Sequence, residues 1–182
     1  GSHAGVWECP DLIQVPVEGT NEMKWVMLVS INPGGPSGGS ATQYFIGDFA
    51  NNKFVLETDT KTRWLDFGKD NYAGVTWFGR RDNKNRPLFI GWMNNWQYAD
   101  AIPLETSVFC SSSTFPRALS LVNTPNGLCL KSEPVSTLGL LRSNAVYTSN
   151  VGKISQTWTA ENISELSSGA AIVECQFGNE RQ

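Results

Sequence analysis

The stretch from Lys24 to Ile31 is strongly apolar and is halted by Asn32-Pro33-Gly34-Gly35-Pro36. A run this short has the length of a strand rather than a helix, and clustered Pro and Gly after it enforce a turn. The same rhythm recurs along the chain. Leu12 to Val17 alternates and ends in Glu18-Gly19-Thr20-Asn21; Gln43 to Phe49 alternates, Asn51-Asn52 turns, and Lys53 to Glu57 returns. Trp64 to Phe67, Ala73 to Phe78, a polar turn from Arg80 to Arg86, Leu88 to Trp92 and Trp96 to Ala99 then repeat the pattern. No helix of convincing length and period interrupts it. The pattern predicts an all-β chain built from successive four-stranded antiparallel units with a loop-rich rim, a β-propeller first and a β-sandwich second.

Composition narrows what such a fold would bind. With 182 residues, 40% hydrophobic and 17% charged, the chain has material for a packed core. A formal charge of −3 with no long run of either sign leaves no electrostatic footprint for nucleic acid or an anionic membrane, and favours a neutral ligand. The many aromatic residues, seven Trp, nine Phe and four Tyr, suit stacking on sugar faces, although cores consume them too. Gly1-Ser2-His3 reads as a tag remnant, which removes His3, the only histidine, from mechanism. Ser-His and Cys-His nucleophile systems are thereby excluded, no metal cluster is expected, and no cofactor is implied. Cys9, Cys110, Cys129 and Cys175 are far apart, either paired in an oxidising compartment or buried as free thiols. The sequon Asn162-Ile163-Ser164 is compatible with secretion, and no apolar run is long enough to span a membrane.

Three stretches carry chemistry. In Trp7-Glu8-Cys9-Pro10-Asp11-Leu12 a lone carboxylate stands at a strand start between an aromatic and a thiol. Buried or half-buried, such a carboxyl would have its charged form disfavoured and could donate a proton near neutral pH; the plainer alternative is a strand-end Glu satisfied by backbone or an Arg. Asp66-Phe67-Gly68-Lys69-Asp70-Asn71-Tyr72-Ala73 sets two carboxylates and a tyrosine around a glycine turn. Trp92-Met93-Asn94-Asn95-Trp96-Gln97-Tyr98 alternates rings with amides, which would suit a sugar's hydroxyls and apolar face, or equally core packing around a hairpin turn.

Together with Ser30-Ile31-Asn32-Pro33-Gly34, Gly38-Gly39-Ser40, Gln43-Tyr44-Phe45-Ile46-Gly47 and Ile90-Gly91, these stretches resemble fungal and yeast members of glycoside hydrolase family 32, over roughly Val6 to Leu121. That family includes invertases, inulinases, levanases and fructosyltransferases. The resemblance implies a five-bladed β-propeller followed by a β-sandwich, with retaining hydrolysis of β-fructosides such as sucrose or fructan oligosaccharides. It places the general acid/base on Glu8, in the Glu-Cys-Pro motif, and gives Tyr72, Asn95 and Trp96 a part in shaping a fructose pocket. Asp66 and Asp70 are candidates for hydroxyl contacts or for a structural role at their turn. It also implies a secreted, extracellular or vacuolar setting.

Retaining chemistry needs a second carboxylate about 5–5.5 Å from the first. The family's nucleophile motif, Trp-Met-Asn-Asp-Pro-Asn-Gly, and its Arg-Asp-Pro motif are absent here; Arg81-Asp82-Asn83 follows Glu8 and lacks the proline. The resemblance therefore implies roughly blades three to five, with the other blades on a second chain or segment, and no turnover of sucrose by this chain alone. Glu105 to Phe115 departs from the family pattern before the family-like Pro116-Arg117-Ala118-Leu119-Ser120-Leu121. Asn126-Gly127 signals the hairpin of a fifth blade. The expected division is a tag remnant at 1–4, a partial propeller catalytic domain at 5–138, a linker at 139–151, and the first sandwich strands at 152–182. A non-catalytic fructan-binding module on the same fold is the alternative.

Overall fold

The computed structural model describes residues 1–57, 61–102 and 111–141. The chain divides into two compact units, Gly1–Leu138 and Gly139–Gln182, and every strand below belongs to the first. Strands β1 (Val6–Pro16), β2 (Met23–Asn32), β3 (Ala41–Ala50) and β4 (Lys53–Leu56) form one antiparallel sheet in sequence order, with β5 (Arg63–Trp64) also paired to β3. The second sheet contains β6 (Tyr72–Arg81), β7 (Pro87–Met93), β8 (Ser112–Ser113), β9 (Arg117–Thr124) and β10 (Gly127–Pro134). Its order is β10-β9-β7-β6, with β8 on β7. The sandwich strands expected at 154–158 and 170–177, the sequon, Cys110 and Cys175 lie outside the described residues. Cys9 and Cys129 are free thiols, Cys9 exposed.

The all-β expectation holds, and three assignments within it change. Trp64 pairs with Gln43 on β3 rather than opening the second unit. Trp96 to Ala99 is a turn leading into a 3-10 segment at Ala99–Ala101, not a strand, because the amides of Tyr98 and Ala99 both bond back to the Asn95 carbonyl. That leaves the edge of β7 open, and β9 fills it, pairing Leu88 with Ala118 and Phe89 with Arg117. The β9–β10 hairpin thus completes the second sheet instead of starting a further blade. The described residues build two antiparallel sheets of five strands each.

Burial explains the sequence rhythm. β2 lies inside its sheet with Val26 and Leu28 to Ile31 buried, so its apolar run does not alternate. The two sheets bury Val15, Val26, Leu28, Tyr44 and Ile46 against Phe89, Leu119 and Leu121. Each such side chain contributes about 1.5–3 kcal/mol on burial, so this interface is the main source of stability. Polar ties fix the sheets' relative position. The Leu130 amide donates to the Tyr44 hydroxyl at 3.1 Å, the Arg81 guanidinium to the Gln14 carbonyl at 2.8 Å, and the Glu18 amide to the Leu121 carbonyl at 2.8 Å. A charged network within the second sheet reaches this seam: Arg86, largely buried, joins Asp82 at 2.7 Å and Glu133 at 2.6 Å. Lys131 bridges Glu133 at 2.9 Å to Glu18 at 3.2 Å.

Candidate active site

Glu8 sits where β1 breaks step with β2. Glu8 pairs with Ser30 and Asp11 with Leu28, so β1 spends one more residue than its partner. The extra residue is accommodated by a left-handed backbone at Cys9, φ 47°, followed by a proline that donates no ladder hydrogen bond. Such a bulge re-aims the side chain beside it. β6 does the same at the same place: Tyr72 pairs with Trp92 and Val75 with Ile90, and Ala73 takes φ 51°. Glu8 and Tyr72 each precede the left-handed residue, on the first strand of their respective sheets.

The two bulges are pinned to each other. The Ala73 amide donates to the Ser30 hydroxyl at 3.0 Å, and Ser30 is the residue opposite Glu8. Asp11 accepts from the Thr76 amide at 2.7 Å and the Thr76 hydroxyl at 2.8 Å, a pair of hydrogen bonds across the sheets. This register brings the Tyr72 hydroxyl onto Glu8 Oε2, to which it donates. Tyr72 is 2% exposed, and burial, followed by its bond to Glu8, pushes its phenol well above the usual tyrosine range. It therefore donates at any working pH. Glu8 itself is exposed, not buried as the sequence suggested, since the bulge turns it outward and nothing among the described residues covers it.

From Tyr72 the aromatic contacts continue outward. Its ring meets Trp92 at 6.4 Å between centroids, and Trp92 meets Trp96 at 5.0 Å. Trp92 is fixed by its indole N–H, which donates to Ser111 Oγ. Trp96 is 49% exposed, so part of its ring is open to solvent. Glu8, Tyr72 and Trp96, three of the sequence candidates, thus fall on one connected path.

Asn95 and Asp66 stand differently. Asn95 is fully buried; its Oδ1 accepts from the Ser40 amide at 3.1 Å and the Gln97 amide at 2.9 Å. Its Nδ2 donates to the carbonyls of Lys69 at 2.6 Å, Gly38 at 3.2 Å and Ser40 at 3.3 Å. With both ends of the amide occupied by backbone, Asn95 joins three loops and offers no free group to a ligand. Asp66 is committed to its own turn, accepting from the Gly68 amide at 2.9 Å and Asn71 Nδ2 at 2.8 Å. Asp70 accepts from the Tyr98 hydroxyl, and that bond is the first cause pushing the Tyr98 phenol up to about 12. No group of three or more His, Cys, Asp or Glu side chains among the described residues could hold a metal.

Sequence reasoning gave no role to Ser30, Asp11, Ser40 or Thr76, which set this geometry. Two of them had a visible signal. Ser30 interrupts an apolar run and Asp11 an alternating strand, both places where a polar side chain must find a partner when the strand is buried. Ser40 is the hinge of the loops: its hydroxyl donates to Asn32 Oδ1 at 3.0 Å and accepts from the Trp96 amide at 3.1 Å. That long-range pairing has no local trace.

Comparisons with known proteins point to one family. Residues 1–134 match the glycosyl hydrolases family 32 N-terminal domain. The levanase of Bacillus subtilis (strain 168) is 45% identical over 147 residues, which is 80% of this chain and 21% of the levanase. The invertase of Schizosaccharomyces pombe is 41% identical over 150 residues, 80% of this chain and 25% of the invertase. Among solved structures, the exo-inulinase from Aspergillus awamori superposes with a TM-score of 0.67 at 38% identity, covering 73% of this chain and 26% of that one. The fructofuranosidase from Schwanniomyces occidentalis complexed with fructose gives 0.62 at 40% identity, covering 71% and 25%. The chain spans about a quarter of the length of these relatives. With antiparallel sheets that match the N-terminal β-propellers of these structures and the domain matched over residues 1–134, the chain belongs to glycosyl hydrolase family 32.

Proposed function

We propose that this chain supplies the general acid/base, Glu8, of a retaining β-fructosidase acting on sucrose or a fructan. The observation that carries this is Glu8 itself, exposed on a bulge, held by a permanently protonated phenol and followed outward by the Tyr72-Trp92-Trp96 aromatic path. In the first step Glu8 gives its proton to the glycosidic oxygen. The bond from that oxygen to the fructosyl carbon breaks, its electron pair staying on the leaving alcohol, while a carboxylate nucleophile bonds to the carbon. Glu8, now ionised, takes a proton from the water that resolves the covalent intermediate. We assign the nucleophile to a second chain or segment, because the family's Trp-Met-Asn-Asp-Pro-Asn-Gly motif is absent from this sequence. By itself the chain would not turn over sucrose.

The relatives support the substrate class. A Schwanniomyces occidentalis enzyme is complexed with fructosylnystose and a Bombyx mori β-fructofuranosidase with sucrose, while the Aspergillus awamori relative is an extracellular exo-inulinase. That likeness supports an extracellular setting for this chain, with a vacuolar one as the alternative. Trp96 provides an apolar face for a sugar ring, and Tyr72 and Asn95 shape the pocket, Asn95 by holding its loops and Asp66 by holding its turn.

In the full-length protein or assembly that contains this chain, Glu8→Gln is expected to lower sucrose hydrolysis by about 10²–10⁴-fold. Its melting temperature should not move. Sucrose hydrolysis at the parental rate in a folded variant would refute the assignment. A second reading, a fructan-binding module without catalysis, draws on the uncommitted face of Trp96. Native mass spectrometry with sucrose and inulin assays separates them: a co-purifying segment with activity supports the enzyme, sugar binding without turnover supports the module.

A further inference from the structure

We infer that Tyr72 is a positioning residue for Glu8, selecting the carboxylate oxygen that handles the proton, rather than a contact to the fructose ring. The inference rests on the proposed role of Glu8. Glu8 has two oxygens, and the Tyr72 hydroxyl donates to Oε2. A phenol that always donates occupies one lone pair of Oε2 and fixes the rotation of the carboxyl group. Glu8 is exposed, and Oε1, the oxygen that Tyr72 does not engage, is the one we assign to the leaving-group oxygen.

Three further observations point the same way. Tyr72 is buried and its ring is packed on Trp92, so the hydroxyl has little freedom to swing toward a ligand. Its backbone is held on both sides, by the Asn71 carbonyl accepting from the Thr42 hydroxyl at 3.2 Å and by the Ala73 amide donating to Ser30 at 3.0 Å. Ser30 pairs with Glu8 on the neighbouring strand, so the group that holds the tyrosine also sits beside the carboxylate it serves. Both residues adjoin left-handed bulge positions, Cys9 at φ 47° and Ala73 at φ 51°. A sheet without those two breaks in register would not bring the side chains together.

The test compares two substrates in the full-length protein or assembly: sucrose, whose alkyl leaving group needs protonation, and an aryl β-fructofuranoside with an acidic phenol leaving group, which does not. Tyr72→Phe is expected to lower kcat on sucrose on the order of 10-fold or more, with KM little changed and the aryl substrate nearly unaffected. Added to Glu8→Gln it should cost nothing more, because the two act as one unit. Equal loss on both substrates, a raised KM on both, or no loss at all would overturn the inference. If Glu8→Gln keeps its sucrose activity, the function proposed above fails; if only Tyr72→Phe keeps it, this inference alone fails. Should Tyr72→Phe not fold, 3-fluorotyrosine at position 72 retains ring and hydroxyl while making the phenol more acidic. A change confined to sucrose then supports positioning, and no difference between substrates overturns it.

Discussion

Buried polar residues do most of the shaping around the site, and Asn95 is the clearest example. One side chain satisfies two amides and three carbonyls from loops that are far apart in sequence. Asn95→Ala would leave several of these groups buried without partners. The expected cost is about 2–4 kcal/mol, measured as a lower midpoint in urea denaturation, with the strands still formed by circular dichroism. The alternation of rings and amides from Trp92 to Tyr98 made Asn95 visible in the sequence as a sugar contact or a turn residue. Choosing between them depended on Gly38, Ser40 and Lys69, whose positions only the fold reveals. Asp66 was ambiguous for the same reason; in the fold it accepts two hydrogen bonds within its own turn.

At the level of the strands, the bulges matter more than the regular pairing. Val15, Val26 and Leu28 announce core strands by their apolar spacing, and that part of the fold was legible. A bulge leaves little trace in hydrophobic pattern, because a single extra residue looks like a lapse in alternation. Gly74 is the exception that ties the β6 bulge to the core. A Cβ there would lie 2.1 Å from the ring of Phe89, which is fully buried. Gly74→Ala should therefore destabilise the fold by about 1–3 kcal/mol through overpacking. Differential scanning calorimetry would show this as a lower melting temperature. The misassigned strands share a physical cause: Trp96 and Tyr98 are aromatic enough for a strand, but the Asn95 carbonyl captures the amides a ladder would need. Which strand then pairs with β7 is a long-range choice.

For the described part of the molecule, the seam between the sheets couples stability to pH. Glu18 is held below its ordinary value of 4.5, first by the Ser120 hydroxyl, and Glu133 likewise, first by Lys131. Asp82, despite burial that opposes ionisation, is held below 3.8 by Arg86. A carboxylate depressed in the folded state contributes stability that is fully present above its unfolded value and is lost as pH falls through its folded one. The melting temperature is thus expected to be flat above about pH 5 and to fall progressively below pH 4.5. Lys131→Met should shrink that fall, since it removes a cation from both Glu18 and Glu133; an unchanged slope in melts across the acid range would contradict the assignment.

Asn95 has a kinetic consequence as well. The amides of Ser40 and Gln97 share a single acceptor, Oδ1, so neither can be lost to solvent by a movement of the Asn95 side chain without releasing the other. Segments more than fifty residues apart are thereby made to breathe together, and hydrogen exchange at the two amides would occur through one opening event rather than two.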